Sequence, residues 1–457
     1  MSEVILAASD APAVPVPVQA LAPAELEAQP AFVRALAATA EFKAKPGQVL
    51  TVPGADGALA QVLFGLGEAP QAMMFRMLAA KLPPGVYRIA SAPATLPPEE
   101  IALAFALGSY RFDRYKVHSA DRPRLVCEGV DVAEVRQIAH ACALARDMIN
   151  TPANDMGPLQ IETIAREIAE RCSAQITVIT GEGLLAANYP AVHAVGRAAA
   201  PDRAPRMIEI TWGEAAHPLI ALVGKGVVFD TGGLDIKPSS GMRLMKKDMG
   251  GAAHVLALGR MIMAARLPVR LAILVPVVEN AISGDAMRPG DVLSSRKGLS
   301  IEVGNTDAEG RLILADALTR ASELDPALTI DMATLTGAAR AALGPQLPPF
   351  FTDDNDLALA IRSAADVAHD PMWRLPLWKG YAEALDSDIA DLKNDPDGWA
   401  QAGAVTAGLF LQRFAPAGPW VHIDLMAWNP RGKPGSPAGA EAQAIRALYR
   451  MIRERFA

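Results

Sequence analysis

The 457-residue chain is poor in cysteine, and its three cysteines are widely spaced. Cys127, Cys142 and Cys172 form no Cys-x-x-Cys pair, so we expect no disulfide framework and no thiolate metal site, and we expect a reducing compartment. None of the seven histidines lies in a ligand pattern such as His-Glu-x-x-His. The sequence therefore argues against zinc sites built from cysteine or from paired histidines.

Long apolar runs and an excess of basic residues are also missing. No apolar stretch reaches the roughly 18 residues that a membrane helix needs. The first residues carry Glu3 and Asp10 and no early lysine or arginine, so no secretory signal is expected. Because the formal net charge is −7, we expect no general affinity for nucleic acid or membranes. These features predict a cytoplasmic protein.

The hydrophobic content of 51% suits a large folded core, and the length allows two or three domains. Short apolar runs alternate with helical stretches and predict a small α/β N-terminal domain over residues 1–130. Within it, the Ala/Pro-rich residues 11–30 are expected in loops or strand edges. A long helical pattern predicts a linker helix over residues 131–150.

Residues 151–457 predict a larger C-terminal domain, which contains the candidate catalytic residues. Its strand-like apolar runs recur with helical stretches between them, a pattern that predicts a mostly parallel sheet covered by helices on both faces. These runs are residues 175–179, 207–212, 219–223, 271–278 and 328–332. The expected fold class is therefore α/β throughout.

The most informative segment is Asn-Thr-Asp-Ala-Glu-Gly-Arg-Leu, residues 305–312. Asp307, Glu309 and Arg311 alternate, so on an extended segment their side chains would share one face. Two carboxylates this close repel each other unless a cation lies between them. We interpret the segment as a strand end that runs into a helix, where ligands collect in α/β proteins.

A second group of charged residues precedes this segment by some 60 residues. Lys225 stands between two glycines after an apolar run, and Asp230, Lys237 and Asp248 follow it within a glycine-rich stretch. With Asp307, Glu309 and Arg311, these residues supply four carboxylates, two lysines and one arginine. Such a set in apolar, glycine-rich surroundings favours a metal site.

Each member taken alone has a simpler interpretation. Asp248 could be a helix N-cap, and Lys225 could be a surface residue that extends into solvent. Asp307 and Glu309 could complement the dipole of the next helix. Asp235, on the same loop as Lys237, is expected to be a solvated carboxylate, and His254 is expected to pack or form hydrogen bonds on its helix.

The charges alone suggest a chemistry. Four carboxylates would balance two divalent cations, and Lys225 could join them only as a neutral amine. An oxygen-rich site with one amine suits Zn²⁺ or Mn²⁺, with Mg²⁺ and Co²⁺ left open. Two such ions would lower the pKa of a shared water. Lys237 and Arg311 remain as cations without a ligand role.

Several stretches resemble the signatures of the leucyl aminopeptidase (cytosol aminopeptidase) family, and they follow the order of that family. The eight-residue stretch 305–312 is the most specific of them, whereas the first 130 residues resemble the family only weakly, mainly through residues 108–116. The matching stretches are 146–155, 223–233, 245–253, 305–312, 333–338 and 387–394. The resemblance implies a dinuclear metal exopeptidase that releases N-terminal residues from peptides and forms a homohexamer.

The resemblance also implies the role of each residue. One metal would be held by Lys225, Asp230, Asp248 and Glu309. The other would be held by Asp230, Asp307 and Glu309. The free α-amine of the peptide would bind beside Asp248, Lys237 would stabilise the oxyanion, and Arg311 would hold a bicarbonate that acts as general base.

The implied substrate-binding residues are Met245, Thr334, Leu335, Gly337 and Met426. Leu335 and Gly337 would position the peptide through backbone hydrogen bonds. Met426 stands where the family usually has alanine, in the pocket for the first substrate side chain, and Met245 matches the methionine of that pocket. The longer side chain at Met426 predicts a narrower pocket.

The sequence disfavours two other classes of function. A nucleotide-binding oxidoreductase is disfavoured because Gly224-Lys225-Gly226 lacks the third glycine of the Gly-x-Gly-x-x-Gly fingerprint. A DNA-binding regulator has precedent among members of the family, but the acidic charge and the absence of a basic stripe disfavour it. A gel shift at low and moderate salt would distinguish it from an enzyme.

Overall fold

A computed structural model describes residues 4–12, 14–116, 121–396 and 401–456 of the chain. The chain divides into two compact units. The first contains the residues up to Ala143 together with Pro430–Ala438, and the second contains Leu144–Asn429 and Gly439–Ala457. The sequence division had placed residues 430–438 in the larger domain, whereas the structure groups them with the smaller unit.

The first unit is built on a six-stranded sheet in the order β1-β6-β5-β2-β4-β3, in which only β3 and β4 pair antiparallel. In its core, Val18, Val62 and Phe64 of the sheet pack in one cluster with Phe75 and Phe105 of the helices. The elements are β1 Ile5–Ala7, β2 Val16–Leu21, α1 Ala31–Thr39, β3 Val49–Pro53, β4 Leu59–Gly65, α2 Phe75–Lys81, β5 Gly85–Ser91, α3 Pro98–Gly108 and β6 Pro123–Cys127.

The Ala/Pro-rich segment 11–30 was expected in loops or strand edges, and this expectation is wrong for its middle part. Strand β2 lies between β4 and β5, in the interior of the sheet. Pro17, which lacks an N–H, pairs opposite Arg88 just before a shift of register between Val18 and Gln19. An irregularity of this kind is where a sheet tolerates proline.

A long helix, α4 Val132–Asn150, follows the first sheet. The division between the compact units falls within it, between Ala143 and Leu144. No helix in the described part of the chain is both long and apolar enough to cross a membrane.

The second unit contains a nine-stranded sheet in the order β16-β15-β18-β14-β9-β11-β8-β7, with β10 paired to β11. Its strands are β7 Gln175–Thr180, β8 Arg206–Trp212, β9 Leu219–Gly224, β10 Gly226–Asp230, β11 Arg270–Asn280, β14 Leu328–Ala333, β15 Pro349–Phe351, β16 Trp373–Arg374 and β18 Trp420–Asp424. Two small sheets comprise β12 Val292–Ser294, β13 Ser300–Glu302 and β17 Leu392–Lys393, and β19 Trp428–Asn429 and β20 Gly439–Ala440.

The helices of the second unit continue the numbering of the chain, and several of them, including α7, α9 and α10, pack on the large sheet. They are α5 Pro158–Arg171, α6 Gly183–Ala186, α7 Pro190–Gly196, α8 Ser239–Met242, α9 Gly250–Ala264, α10 Glu309–Ser322, α11 Gly337–Leu343, α12 Asn355–Val367, α13 Gly403–Gln412 and α14 Ile445–Phe456. Every residue of β9 and β14 is buried, as expected for strands covered on both faces. The predicted α/β class with a mostly parallel sheet is confirmed.

The topology also explains where a site can form. Strands β10, β11, β9, β14 and β18 run parallel to one another. Because parallel strands end at the same edge of a sheet, the residues at or just after their carboxyl ends are brought together. These residues include Lys225, Asp230, Asn280, Thr334 and Asp424.

Candidate metal centre

Three carboxylates meet at this edge of the sheet. Asp230 ends β10, Asp307 lies in the turn before α10, and Glu309 is the first residue of that helix. One oxygen atom from each lies within 4.8 Å of the others. Three carboxylates this close form a strongly anionic centre that favours bound protons or cations.

The pKa values of two of these carboxyl groups reflect this crowding. Burial and then the charge of Asp230 raise the pKa of Glu309 to about 8. The same two causes raise the pKa of Asp307 to about 6. Without a further cation, the centre therefore retains a proton at Glu309 near neutral pH, as expected where like charges share one site.

Lys225 lies within the same centre. Its ammonium nitrogen is 2.8 Å from Asp248 Oδ2 and 3.0 Å from Glu309 Oε1, and the side chain is buried. Burial alone would lower its pKa, but the surrounding carboxylates, Asp248 foremost, hold the pKa above its ordinary value. The lysine that sequence analysis noted between two glycines is thus a buried partner of the carboxylates, and not a surface residue.

Lys237 approaches the centre from the loop after β10. Its Nζ is 2.8 Å from Asp230 Oδ2 and also forms an ion pair with Asp307. Burial opposes the charge of Lys237, yet Asp230 raises its pKa above the ordinary value. The two lysines together neutralise half of the charge that four ionised carboxylates would carry.

Asp248 is not a helix N-cap. It lies in a 3₁₀ turn, Met245–Met249, that precedes α9. Its Oδ1 accepts a hydrogen bond from the Thr334 hydroxyl at 2.8 Å, and its Oδ2 faces Lys225. The simpler interpretation offered by the sequence is therefore wrong for this residue.

The segment 305–312 brings its carboxylates together by a different geometry from the one expected. It is a turn that leads directly into α10, not an extended strand. Asn394 holds the turn: its Oδ1 accepts from Gly304 N at 2.8 Å and its Nδ2 donates to Asn305 O at 2.7 Å. The turn therefore depends on a residue some 90 positions away.

Asp235 and Asn280 support the centre, although sequence analysis assigned them no such role. Asp235 is exposed, as expected for a solvated loop carboxylate, and its Oδ2 also accepts from Thr306 N at 2.8 Å. Buried Asn280 donates through Nδ2 to Asp230 Oδ1 at 2.8 Å and to Thr306 O at 3.1 Å. The position of Asn280 at the end of a buried strand is the only sequence signal that could have identified it.

Gly233 shows why the loop after β10 is rich in glycine. Its φ of +64° lies in the left-handed region, and a Cβ there would lie 2.9 Å from Thr306 Oγ1 and 3.1 Å from Asn280 Oδ1. A larger residue would therefore displace the groups that hold Asp230 and the 305–312 turn.

Arg311 is buried beside the centre, in the first turn of α10. Its Nη1 donates to the carbonyl of Asn394 and lies 3.9 Å from Asp395 Oδ1, and burial lowers its pKa. Its buried Nε has no hydrogen-bond partner among the described residues. Arg311 thus keeps one buried donor that no described group satisfies.

The implied substrate-binding residues lie on neighbouring segments. Thr334 is buried, Leu335 is half-buried, and Gly337 begins α11. Lys246, next to Met245, lies 5.5 Å from the ring centroid of Trp428, so the Met245 and Met426 segments are adjacent. Met426 is half-buried, and its Sδ is 3.6 Å from Arg340 Nη1.

His254 has the structural role expected from the sequence. Its Nδ1 faces Gly250 O at 2.6 Å, and its Nε2 accepts from Gln443 N at 3.0 Å. Burial lowers its pKa, so the ring is neutral and both nitrogens are already engaged.

The donor set fits hard or borderline divalent cations. Asp248 Oδ2 and both Glu309 oxygens are buried and lack a hydrogen-bond partner among the described residues, although Lys225 lies within ion-pairing distance. Buried carboxylate oxygens are costly unless they are paired or coordinate a metal. Oxygen ligands with one amine suit Zn²⁺ or Mn²⁺.

An α/β fold with a carboxylate-rich centre at the ends of parallel strands fits a metal-dependent hydrolase. Residues 143–449 match the cytosol aminopeptidase family, catalytic domain, and residues 16–128 match the M17 aminopeptidase, N-terminal domain. The chain belongs to this family. It is a metal-dependent aminopeptidase that acts on peptides and releases their N-terminal residues.

Individual relatives agree with this assignment. The chain is 41% identical to the "Probable cytosol aminopeptidase" of Syntrophotalea carbinolica over 80% of this chain and 78% of the relative. The crystal structure of the cytosol aminopeptidase from Coxiella burnetii superposes with a TM-score of 0.92 at 41% identity, over 99% of this chain and 100% of that one. The structure of the bottromycin maturation enzyme BotP in complex with Mn superposes with a TM-score of 0.89 at 35% identity. The match covers 97% of this chain and 100% of that one.

Proposed function

We propose that the aminopeptidase binds two divalent cations per chain through Lys225, Asp230, Asp248, Asp307 and Glu309. The observation that carries this proposal is the cluster of carboxylate oxygens, of which Asp248 Oδ2 and both Glu309 oxygens are buried and lack hydrogen-bond partners among the described residues. Zn²⁺ and Mn²⁺ are the preferred ions, and the manganese complex of BotP supports the second. When bound, such ions would lower the pKa of a bound water and polarise the scissile carbonyl.

The cationic side chains have separate roles in this proposal. Lys237, whose ammonium group projects towards Asp230 and Asp307, donates to the oxyanion that develops as the peptide bond is attacked. The Lys225 side chain joins the ligands as a neutral amine, because its ammonium form has no lone pair to donate.

Arg311 is proposed to hold a bicarbonate ion that accepts the proton of the attacking water. Its unsatisfied, buried Nε supports this role, because a buried guanidinium N–H favours an anionic acceptor. The nearby histidine, His254, cannot act as the base because both of its ring nitrogens already form hydrogen bonds, with Gly250 and Gln443.

The substrate is proposed to lie along residues 334–337 with its free α-amine beside Asp248. An internal residue of a peptide lacks this amine, which explains selectivity for the N-terminus. Met245 and Met426 are proposed to line the pocket for the first side chain, and the adjacency of their segments supports this.

We further propose that the enzyme is a cytoplasmic homohexamer. The names of the relatives, which are cytosol aminopeptidases, support the location. The resemblance to the family supports the assembly. Sedimentation velocity should give a single species of six times the mass of one chain, and a stable monomer that is fully active would contradict the assembly.

The experiment that tests the proposed function compares Leu-Gly-Gly with its N-acetylated form, before and after chelation. We expect hydrolysis of the free peptide only, loss of activity on chelation, and recovery on addition of Mn²⁺, Zn²⁺ or Co²⁺. Hydrolysis of the acetylated peptide would refute the proposed role of the α-amine. A gel shift with duplex DNA in the same buffers should show no complex.

A further inference from the structure

The substrate loop, residues 334–337, is held at both ends by carboxylates. At its first end, the Thr334 hydroxyl donates to Asp248 Oδ1 at 2.8 Å, and Lys225 Nζ donates to Thr334 O at 3.3 Å. This end of the loop is thereby tied to two of the proposed metal ligands.

The other end of the loop is held by Asp424, a residue that sequence analysis did not single out. Asp424 is the last residue of β18, pairs in register with Ala333, and is 1% exposed. Its Oδ1 accepts from Leu335 N at 3.0 Å and from Thr336 N at 3.2 Å, and its Oδ2 accepts from Thr336 Oγ1 at 2.6 Å. One buried carboxylate therefore receives three hydrogen bonds from two consecutive loop residues.

Thr336 transmits this restraint into the next helix. Its Oγ1 also accepts a hydrogen bond from Ala339 N at 3.0 Å and so caps α11. Because Asp424 is shielded from water, its hydrogen bonds cannot readily exchange with solvent, and they hold the loop in one conformation.

The hydrogen bond to Leu335 N decides which group of the loop can bind substrate. Since the N–H of Leu335 is already donated to Asp424, the backbone group of this residue that is left for a ligand is its carbonyl oxygen. A carbonyl accepts hydrogen bonds only, so its partner on the substrate must be a peptide N–H.

The position of Leu335 along the loop bears on which N–H of the substrate this partner is. Thr334 contacts the metal ligand Asp248, and Leu335 lies one residue further, about 3.8 Å along the chain. A substrate whose scissile bond lies at the metal centre would present, one residue further, the N–H of its second peptide bond.

We propose that Asp424 is a positioning residue that fixes the substrate loop, so that the carbonyl of Leu335 accepts a hydrogen bond from the peptide N–H following the scissile bond. This inference rests on the proposed function, because it requires the amino end of the substrate to bind at the metal centre. It assigns to the enzyme a preference for substrates of three or more residues.

The test compares Leu-Gly-Gly with its depsipeptide analogue, in which an ester replaces only the second peptide bond and so removes one N–H. For the wild-type enzyme we expect kcat/KM to be about 3- to 10-fold lower for the ester, the range expected for one hydrogen bond, and mainly through KM. In Asp424→Ala, the ratio of kcat/KM for the peptide to kcat/KM for the ester should approach one. In Asp424→Asn, which retains an acceptor oxygen, and in Thr336→Val, it should be intermediate.

Asp331 provides the matched control, because it is another buried carboxylate on the adjacent strand. It accepts from Trp420 Nε1 at 2.7 Å and pairs with His422, but it makes none of the hydrogen bonds to the loop. Asp331→Asn should lower thermal stability and leave the peptide-to-ester ratio at the wild-type value.

Two results would overturn the inference alone: a wild-type enzyme that does not distinguish peptide from ester, or an Asp424→Ala or Asp424→Asn enzyme that distinguishes them as well as wild type does. A wild-type protein that hydrolyses neither substrate, or that hydrolyses both without metal, would instead overturn the proposed function and this inference with it.

Discussion

At the scale of single residues, Lys237 and Arg311 differ from the five proposed ligands in what their removal should do. Lys237→Ala removes a donor to the developing oxyanion, so kcat should fall by roughly 10²-fold or more. Its metal content should be unchanged, because all the carboxylates remain. Parallel measurement of kcat and of bound metal checks this, with the exposed Lys379→Ala as control.

Arg311→Ala should lower kcat less severely than Lys237→Ala and should abolish any stimulation by added bicarbonate. The reason is that a base held as a bound anion can be replaced in part by solvent, whereas the oxyanion donor cannot. A bicarbonate titration of wild type and variant provides the measurement. Loss of metal from either the Lys237 or the Arg311 variant would show that the proposed division of roles is wrong.

Met426 offers a prediction on specificity. If its thioether narrows the first-residue pocket, Met426→Ala should raise kcat/KM for phenylalanine amide relative to alanine amide by up to roughly 10-fold. Met451, which is 1% exposed in α14, is the matched control. Met451→Ala should cost about 2–5 kcal/mol of stability and leave the substrate ratio unchanged. An unchanged ratio in Met426→Ala would remove Met426 from the pocket.

At the scale of elements, the first turn of α10 packs against Lys225. A Cβ on Gly310 would lie 2.5 Å from Lys225 Cε and 2.7 Å from its Nζ, so Gly310→Ala must displace the lysine. We expect this variant to bind less metal and to lose at least about tenfold in activity. Thermal stability should not fall comparably, since alanine favours the helix over glycine by about 1 kcal/mol.

Gly284→Ala is the control for this substitution, because nothing lies within 4 Å of the added Cβ and its φ is not positive. Metal content and activity should match those of wild type. A Gly310→Ala enzyme with native metal content and native kcat would mean that the position of Lys225 does not matter to the site.

The elements also show which parts of the structure a sequence can predict. The runs 219–223 and 328–332 were recognised as strands because strands covered on both faces are continuously apolar, and β9 and β14 are buried throughout. Strand β2 was missed because proline usually marks loops, and a local register shift accommodates Pro17.

The site could be predicted only in part, because contacts between residues far apart in the sequence set its geometry. Its charged residues stand out in apolar, glycine-rich stretches, so the sequence alone identifies them. Their geometry does not follow from local patterns, because the 305–312 turn is set by Asn394 and Asp235, about 90 and 71 positions away. Asp424 was missed for the same reason, since its three hydrogen bonds reach the loop from another strand.

At the scale of the whole molecule, the parallel strands of the second unit place Lys225 and Asp230 at their carboxyl ends, where the turn before α9 and the start of α10 add Asp248, Asp307 and Glu309 to the same centre. That centre is anionic and buried, so the folded chain should bind divalent cations even in the absence of substrate. The chain as a whole is then an aminopeptidase whose activity is set by its metal content.

The most direct test is to measure bound metal by mass spectrometry and initial rate on Leu-Gly-Gly in the same samples. Native, chelated and reconstituted protein should be compared with Asp307→Ala and Glu309→Ala. The account predicts two divalent ions per fully active chain, activity that falls and recovers with metal content, and inactive variants with native circular dichroism. Full turnover by the metal-free wild-type protein, or by either variant, would contradict it.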